Sequence, residues 1–367
     1  MKTKKWYISV VLLLAVFATA CGGTQTPDAA KPSQGSAPSN EASAPKKEIS
    51  ADFVDDKKPV NVPIAGQAAG GLFALAGEAV NEMVRREYPG SNVAYEPGNM
   101  AGDLVEIAEG NKYPLTIGVS SIAVEMAAAG QAPFPKKFAK ENFKVVSTVT
   151  ANMQTHIFAN KAFADKHNIK TLADIKNNKV PAKIATNQPG NLMEHTIANF
   201  ILDGHGITRK ELEQWGGSIL DVPNSESYGL FRDGRVDMII VSTWPPDQKI
   251  LEASRVKDSM LIPMNKDVVD QFIKKYNVKQ STIKAGAYEF LKEDYYTIGS
   301  DLLILAGHLA DDQLTYKMAK SLYNQFDYYQ KVHPLFKQFN KEMLAADTGY
   351  EFHPGAEKFY KEVGLIK

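Results

Sequence analysis

The sequence predicts an α/β fold in which helices cover parallel β-sheets, divided between two domains. Stretches with the two-residue apolar period of strands alternate along the chain with stretches that place apolar residues on one helical face. Such alternation is typical of parallel sheets with helices on both faces. Residues 59–367, which carry the pattern, exceed what a single hydrophobic core usually supports. This length indicates more than one domain.

The first predicted elements cover residues 60–129. Val60, Val62 and Ile64 alternate with their neighbours as they would in a strand. The next stretch places apolar residues on one helical face and stops at Pro89, which a helix interior does not tolerate. The predicted elements that follow are a strand at 91–96, a helix at 102–109, a strand at 115–121 and a helix at 122–129.

Longer apolar strands are predicted further along the chain. The longest, at 143–160, is followed by strands at 182–186, 236–243 and 259–264, with helices between them. In such folds ligands sit at the carboxyl ends of the strands, where helix N-termini offer free backbone N–H groups. We therefore expect binding residues directly after the strands.

The charge balance argues against nucleic acid as a partner. Lysine plus arginine and aspartate plus glutamate number 42 each, and the chain has no basic run. Binding to phosphates needs a basic excess. The one cysteine, Cys21, precedes the folded part, so we expect neither disulfides nor thiolate metal sites there.

Residues 1–20 have the layout of a secretory signal. Lys2, Lys4 and Lys5 precede an apolar stretch that is shorter than the roughly 17 to 25 residues of a membrane span. The small residues directly before Cys21 resemble the lipobox of bacterial lipoproteins, in which the thiol receives diacylglycerol and the chain is cut just before it. The alternatives are an ordinary signal with a chance cysteine and an uncleaved anchor helix.

A polar segment follows the cysteine. Residues 22–48 contain no Val, Ile, Leu, Met or aromatic residue, and a segment with so little to bury does not order itself. We interpret 21–58 as the lipidated cysteine and a disordered tether. The tether would hold the folded part at the outer face of the cell membrane.

Five segments occur in order within residues 59–367: IAGQAAGGLFALAG, GVSSIAVEMAAAGQAPF, IKTLADIKNNKVPAKIATNQPGN, FRDGRVDMIIVSTWPP and FHPGAEKFYKEVGL. Together they resemble the TAXI branch of the solute-binding proteins that serve TRAP transporters. The last segment is the most specific, because its His-Pro-Gly-Ala-Glu run before an aromatic helix and a terminal glycine is a strong mark of that family.

The resemblance implies a type II periplasmic-binding-protein-like fold, with two α/β lobes, a hinge and an interlobe cleft. Lobe one would comprise 59–152 plus 259–367 and lobe two 153–258, with the chain crossing at 148–158 and 259–264. The protein would close on a small ligand, often a carboxylate in this family, and deliver it to TRAP membrane subunits. We expect a monomer without a cofactor or metal.

The candidate contacts of lobe one follow predicted strands. Gly70 and Gly71 let backbone N–H groups approach an anion, although closer helix packing explains them equally well. Phe73 stands where the family has a tyrosine, so a hydroxyl group is lost. Ser121 would either bind ligand or cap the following helix. The candidates of this lobe are Gln67, Gly70, Gly71, Phe73, Asn99, Ser120 and Ser121.

The candidate contacts of lobe two replace part of the family's motif by amides, which can donate N–H bonds across the cleft. Trp244 directly follows a strand, and it is either a buried packing residue or a wall against the apolar flank of the ligand. We favour the wall, because a closing cleft needs apolar surface. The candidates of this lobe are Asn187, Gln188, Asn191, Ser242, Thr243 and Trp244.

Two other classes of protein are alternatives to a solute-binding protein. An enzyme is disfavoured, because the chain lacks the G-x-S-x-G, H-E-x-x-H and G-x-x-x-x-G-K-[ST] motifs and its histidines show no metal-ligand spacing. We expect no catalytic residue. A lipid-anchored sensor, which binds a ligand but passes nothing on, fits the same residues. The polar groups lost at the motif positions favour a small organic acid with an apolar portion over glutamate.

Overall fold

The computed structural model describes residues 55–69 and 72–367. The predicted signal, the lipidation site Cys21, most of the tether and the candidates Gly70 and Gly71 lie outside these ranges. Within them, no helix combines the length and the apolar character that crossing a membrane requires.

A single mixed sheet runs through the described residues. Its strands are β1 Asn61–Gly66, β2 Asn92–Pro97, β3 Leu115–Ser120, β4 Lys144–Asn160, β5 Lys183–Thr186, β6 Ser218–Asp221, β7 Met238–Thr243, β8 Ser259–Leu261, β9 Lys279–Ile283 and β10 Tyr295–Ala306. Their order is β2-β1-β3-β10-β4-β7-β5-β6, and β8 and β9 pair with β4 and β10, respectively.

Two sets of strands are parallel, as the alternation of elements predicts. Strand β1 pairs in parallel with β2 and β3, and β5 pairs in parallel with β6 and β7. The sheet is nevertheless mixed, because β4 and β10 run antiparallel to all their neighbours. The predicted parallel pairing therefore does not extend to the two longest strands.

Helices cover the sheet. They are α1 Leu72–Glu87, α2 Met100–Glu109, α3 Ser121–Ala129, α4 Lys161–Lys166, α5 Ala173–Asn177, α6 Leu192–Gly204, α7 Arg209–Gln214, α8 Asn224–Arg232, α9 Gln248–Val256, α10 Lys266–Tyr276, α11 Asp312–Asn324, α12 Phe326–Val332 and α13 Pro354–Glu362, with 3-10 turns at Lys140–Asn142, Pro334–Gln338 and Lys341–Ala345. In α1 the predicted apolar face, including Ala76, Val80 and Met83, is buried.

The two long strands join the two parallel sets. Strand β4 pairs with β10 up to Gln154 and with β7 from Gln154 onward. Strand β10 pairs with β9 before Ser300 and with β3 after it. The predicted first crossing at 148–158 lies within β4. The segment 259–264, predicted as the second crossing, instead contains the short strand β8, which pairs with the last residues of β4. The strand that pairs with β4 at the crossing is β10.

The crossing strands are irregular where they meet. Asn152 has a φ of 54°, a left-handed conformation that asparagine tolerates better than most residues. Its backbone N–H donates to Asp301 Oδ1 at 2.8 Å, which ties β4 to β10. The pairing register of the two strands shifts between Ser300 and Leu302. Such an interruption bends a sheet locally.

The last residues of the predicted tether contact α11. Lys317, whose side chain is 4% exposed, forms an ion pair with Asp56 and donates to the carbonyl oxygen of Lys58 at 2.9 Å. Lys320 pairs with Asp55 at 2.8 Å. These contacts hold the start of the described chain against the helix.

Candidate ligand-binding cleft

A cavity of about 960 Å³ lies at the carboxyl ends of β2 and β7. One side is formed by α1 and β2, and the other by α6, α8 and the loop from β7 to α9. Its lining residues are Ala69, Leu72, Phe73, Ala74, Leu75, Glu78, Tyr95, Pro97, Asn191, Glu194, Asn224, Ser225, Tyr228, Ser242, Thr243, Trp244, Asp247, Lys249, His333 and Leu335. Its volume suits a small-molecule ligand.

Some of the residues singled out from the sequence border this cavity and others do not. The five that line it are Phe73, Asn191, Ser242, Thr243 and Trp244. The described candidates outside its lining are Gln67, Asn99, Ser120, Ser121, Asn187 and Gln188. The cavity therefore gathers mainly the candidates of lobe two.

The lobe-one candidates outside the lining have other contacts. The carbonyl oxygen of Gln67 accepts from the Tyr95 hydroxyl at 2.5 Å. Asn99 caps α2 by accepting from the backbone N–H of Gly102 at 2.9 Å. Ser120, and not Ser121, occupies the N-cap position of α3, and it makes no side-chain cap bond, so of the two alternatives for Ser121 the capping role is excluded.

The lobe-two candidates next to the cavity support residues that line it. Asn187 is buried, and its side-chain amide donates to Glu194 Oε2 at 2.6 Å and to Asn224 Oδ1 at 3.1 Å. Gln188 is exposed, and its backbone N–H donates to Asn187 Oδ1. Asn191 caps α6 by accepting from the backbone N–H of Glu194 at 3.3 Å.

Trp244 combines both interpretations that its sequence position allows. Its side chain borders the cavity, yet the residue is only 5% exposed. The indole Nε1–H donates to the carbonyl oxygen of Ala151 in β4 at 2.7 Å, and the ring packs edge-on against Phe339 with centroids 5.9 Å apart. Trp244 also lines a second cavity, of about 390 Å³, which borders Gln338.

Glu194 is a buried carboxyl group at the edge of the cavity that the sequence analysis did not single out. Its Oε2 accepts from the amides of Asn187 and Asn224, at 2.6 and 2.7 Å. Burial raises the pKa of this carboxyl group, while its hydrogen bonds oppose the shift. The carboxyl group thus already has two side-chain amide donors within the protein.

Asp247 joins the cavity to the crossing strand β4 through a chain of hydrogen bonds. Its backbone N–H donates to the Tyr288 hydroxyl at 3.1 Å, and that hydroxyl lies 3.0 Å from His156 Nε2. His156 Nδ1 lies 2.9 Å from the carbonyl oxygen of Gln154, which can only accept. The proton of His156 is therefore on Nδ1, and Nε2 accepts from Tyr288. Burial lowers the pKa of His156 to about 4, so this neutral tautomer persists at pH 7.

The carboxylate of Asp247 is also engaged within the protein. Its Oδ2 accepts from the Thr243 hydroxyl at 2.7 Å, and its Oδ1 caps α9 by accepting from the backbone N–H of Ile250 at 2.9 Å. The sequence predicts the site at the strand ends but not the lining residues at and within the following helices, which include Glu194, Tyr228, Asp247 and Lys249. The helix start after each strand is the signal that could have found Glu194, Asp247 and Lys249, whereas Tyr228 lies in the second turn of α8.

The described residues contain no group of three or more His, Cys, Asp or Glu side chains placed to hold a metal ion. The strand groups bridged by β4 and β10, with a ligand-sized cavity at the strand ends, define a two-lobed fold of the periplasmic-binding-protein type. The chain belongs to the NMT1-like family, whose model matches residues 64–364.

Several solved structures are similar to this chain. MatC from Rhodopseudomonas palustris with bound malate matches over 83% of this chain and 97% of its own, at 12% identity and a TM-score of 0.48. The periplasmic binding protein BugD matches over 84% and 99%, at 15% identity and a TM-score of 0.45. PhnD1 from Prochlorococcus marinus in complex with methylphosphonate matches over 84% and 100%, at 11% identity and a TM-score of 0.47.

Proposed function

We propose that this protein is the extracytoplasmic solute-binding component of a TRAP-type secondary transporter. It captures a small organic acid in the cleft and delivers it to the membrane subunits of the transporter. The observation that carries the proposal is the cavity of about 960 Å³, whose lining comes from both parallel sets of strands and their helices. Closing such a cleft about a hinge encloses a ligand.

The lining supports a ligand with an apolar portion. Leu72, Phe73 and Leu75 of α1 offer apolar surface on one side, and Trp244 offers an indole on the other. Apolar walls supply affinity, and a few polar groups fix the orientation of a bound molecule. We assign the ligand contacts to the five sequence candidates that border the cavity, together with polar residues of α8 and α9.

The test begins with the native protein. We expect a small acid to be released when protein purified without denaturation is unfolded, and mass spectrometry to identify it. Adding this acid back should raise the melting temperature, as any ligand of the native state does, and should reduce the radius of gyration measured by small-angle X-ray scattering. Identical scattering profiles with and without a verified ligand would contradict hinge closure.

Transport is tested separately from binding. We expect deletion of the gene to abolish uptake of the identified acid, and expression of the protein to restore it. Uptake that is unchanged after deletion would favour a sensor, even if the ligand binds tightly.

A further inference from the structure

The N-terminus of α8 opens onto the cleft without a cap. Its N-cap position is Pro223, which makes no side-chain cap bond. Among the described residues, the backbone N–H groups of Asn224 and Ser225 have no hydrogen-bond acceptor. Both residues line the cavity. In contrast, α6 and α9 start at the same cavity with side-chain caps. Uncapped N–H groups and the helix dipole favour an anion.

Tyr228 provides an independent sign that a ligand group belongs at this end of the cleft. The residue is 7% exposed and lines the cavity, yet its hydroxyl has no hydrogen-bond partner in the described part of the chain. Positions three and four apart share a helix face, so Tyr228 lies on the face that begins with Ser225 and Asn224. The hydroxyl group retains accessible surface, and in a residue that lines the cavity it can donate to a ligand.

Lys249 places a positive charge beside Tyr228. Its Nζ lies 5.6 Å from the centroid of the Tyr228 ring. The side chain is exposed, and it has no carboxylate partner among the residues that the structure describes. The neighbouring carboxyl groups of Glu194 and Asp247 are already bonded to protein donors. Lys249 is therefore available to a ligand.

We propose that the N-terminus of α8, the Tyr228 hydroxyl and Lys249 bind the acidic group of the solute. This inference rests on the proposed function and names the end of the cleft that recognises the anion. A carboxylate, a sulfonate or a phosphonate offers the shared chemistry, since each accepts several hydrogen bonds and carries negative charge. The apolar portion of the solute then faces the helix α1 side.

The sign of the charge is tested by probes that carry the same hexyl chain. Heptanoate and hexylammonium share this chain and differ in the charge of the end group, and hexylphosphonate distinguishes a phosphonate from a carboxylate. We expect isothermal titration to detect heptanoate or hexylphosphonate with the wild-type protein and not hexylammonium. Selective binding of hexylammonium, or release of a solute without an acidic group from the native protein, would overturn this inference and the proposed acidic character of the solute, and would leave the proposed solute-binding role in a transporter standing.

At position 225, aspartate and asparagine differ in charge but are nearly equal in size, so comparing the two variants isolates the effect of charge. We expect Ser225→Asp to weaken binding of the acid at least tenfold more than Ser225→Asn, because a carboxylate in the first turn occupies the anion site while it favours the helix itself. Equal effects of the two variants would overturn the inference. The test uses whichever acid the wild-type protein binds, whether a probe or the solute released on unfolding. If the wild-type protein binds none of the acidic probes and releases no solute on unfolding, the proposed function fails as well.

Two further variants test the side chains. Tyr228→Phe should weaken binding of the acid about tenfold or more, since a hydrogen bond to a charged group is lost. Lys249→Gln should weaken it several-fold and reduce its dependence on salt. The matched controls are Tyr276→Phe and Lys257→Gln. Tyr276 is a buried tyrosine outside the cavity lining, and Lys257 is a lysine over the ring of Phe231. Controls that weaken binding as much as the site variants would contradict the assignment.

Discussion

At the scale of single residues, Trp244 connects the cleft with the crossing strands. Its N–H group is bonded to Ala151 of β4, its ring packs against Phe339, and its remaining surface borders the cavity. The sequence places an aromatic ring after a strand but cannot tell a wall from a packing residue. That distinction depends on Ala151 and Phe339, which are distant in sequence and meet Trp244 only in the fold.

Substitutions of Trp244 should affect stability as well as binding. We expect Trp244→Ala to lower the free energy of unfolding by about 3–5 kcal/mol, because a large buried ring is removed. Trp244→Phe should cost less, since it keeps part of the packing and loses the bond to Ala151. Urea unfolding of the ligand-free protein measures both. Trp215→Phe is the control, because Trp215 is only partly buried and does not line the cavity. If Trp244→Ala were as stable as the wild-type protein, the indole would contact the ligand without contributing to packing.

Asp103 should make stability depend on pH in an unusual direction. Burial raises the pKa of this carboxyl group from 3.8 to about 7. The unfolded chain therefore ionises it near pH 4 and the folded protein only near pH 7, so the ionised group destabilises the fold above pH 7 and this cost disappears as the pH falls to 4. The free energy of unfolding of Asp103→Asn minus that of the wild type should therefore be larger above pH 7 than at pH 4, by on the order of 3–4 kcal/mol.

The measurement is urea unfolding of both proteins between pH 4 and 8. Glu106→Gln, at a partly buried acidic residue of the same helix, is the control. A difference between Asp103→Asn and wild type that does not change with pH would show that Asp103 ionises normally in the folded protein.

At the scale of elements, the starts of α6, α8 and α9 form one side of the cleft. The sequence predicts that binding residues follow the strands, and Ser242 and Thr243 at the end of β7 are in the lining as expected. Tyr228 could not be predicted in the same way, because it lies in the second turn of α8. Its role depends on how α8 and α9 pack together, which a pattern of apolar residues does not encode.

The start of α9 is held by Tyr288, and loss of its hydroxyl group should destabilise the protein. Tyr288→Phe leaves the backbone N–H of Asp247 and Nε2 of His156 without this partner. We expect the free energy of unfolding to fall by about 1–3 kcal/mol, measured by urea unfolding at pH 7. Tyr276→Phe should cost less, because the Tyr276 hydroxyl has no hydrogen bond to the residues that the structure describes. Equal losses in the two variants would show that the hydrogen-bond chain contributes nothing.

At the scale of the whole molecule, the alternating pattern predicts β1 to β5, β7 and β8, and these strands are confirmed. It does not predict β6, β9 or the long strand β10. The apolar run of β10 is interrupted by Gly299, Ser300 and Asp301, where it meets β4 at the irregular crossing. A hinge needs polar and small residues in the middle of a strand, and this weakens the sequence signal for a strand. We expect the chain to return to the first lobe through β10.

The proposed lipid anchor determines where the whole molecule resides. We expect Cys21→Ser to release the protein from the membrane, because one diacylglyceryl group attached to this thiol supplies the hydrophobic attachment. Fractionation of cells, with detection of the protein in the membrane pellet and the soluble fraction, measures the effect. Thr19→Ser, a small residue replaced by another small residue before the cysteine, is the control. A Cys21→Ser variant that still sediments with membranes would contradict lipidation.

The smaller cavity beside Trp244 makes the protein suitable as an optical biosensor. Gln338 is exposed and borders this cavity, whereas the proposed ligand occupies the larger cavity next to the same indole. In a Cys21→Ser chain, Gln338→Cys would provide the sole thiol for attaching a dye that responds to its surroundings. The dye would report movement of Trp244 as the cleft fills while leaving the entrance to the ligand site free. Movement of Trp244, which is hydrogen-bonded to the crossing strand, would thus change the fluorescence of the dye with the concentration of the solute.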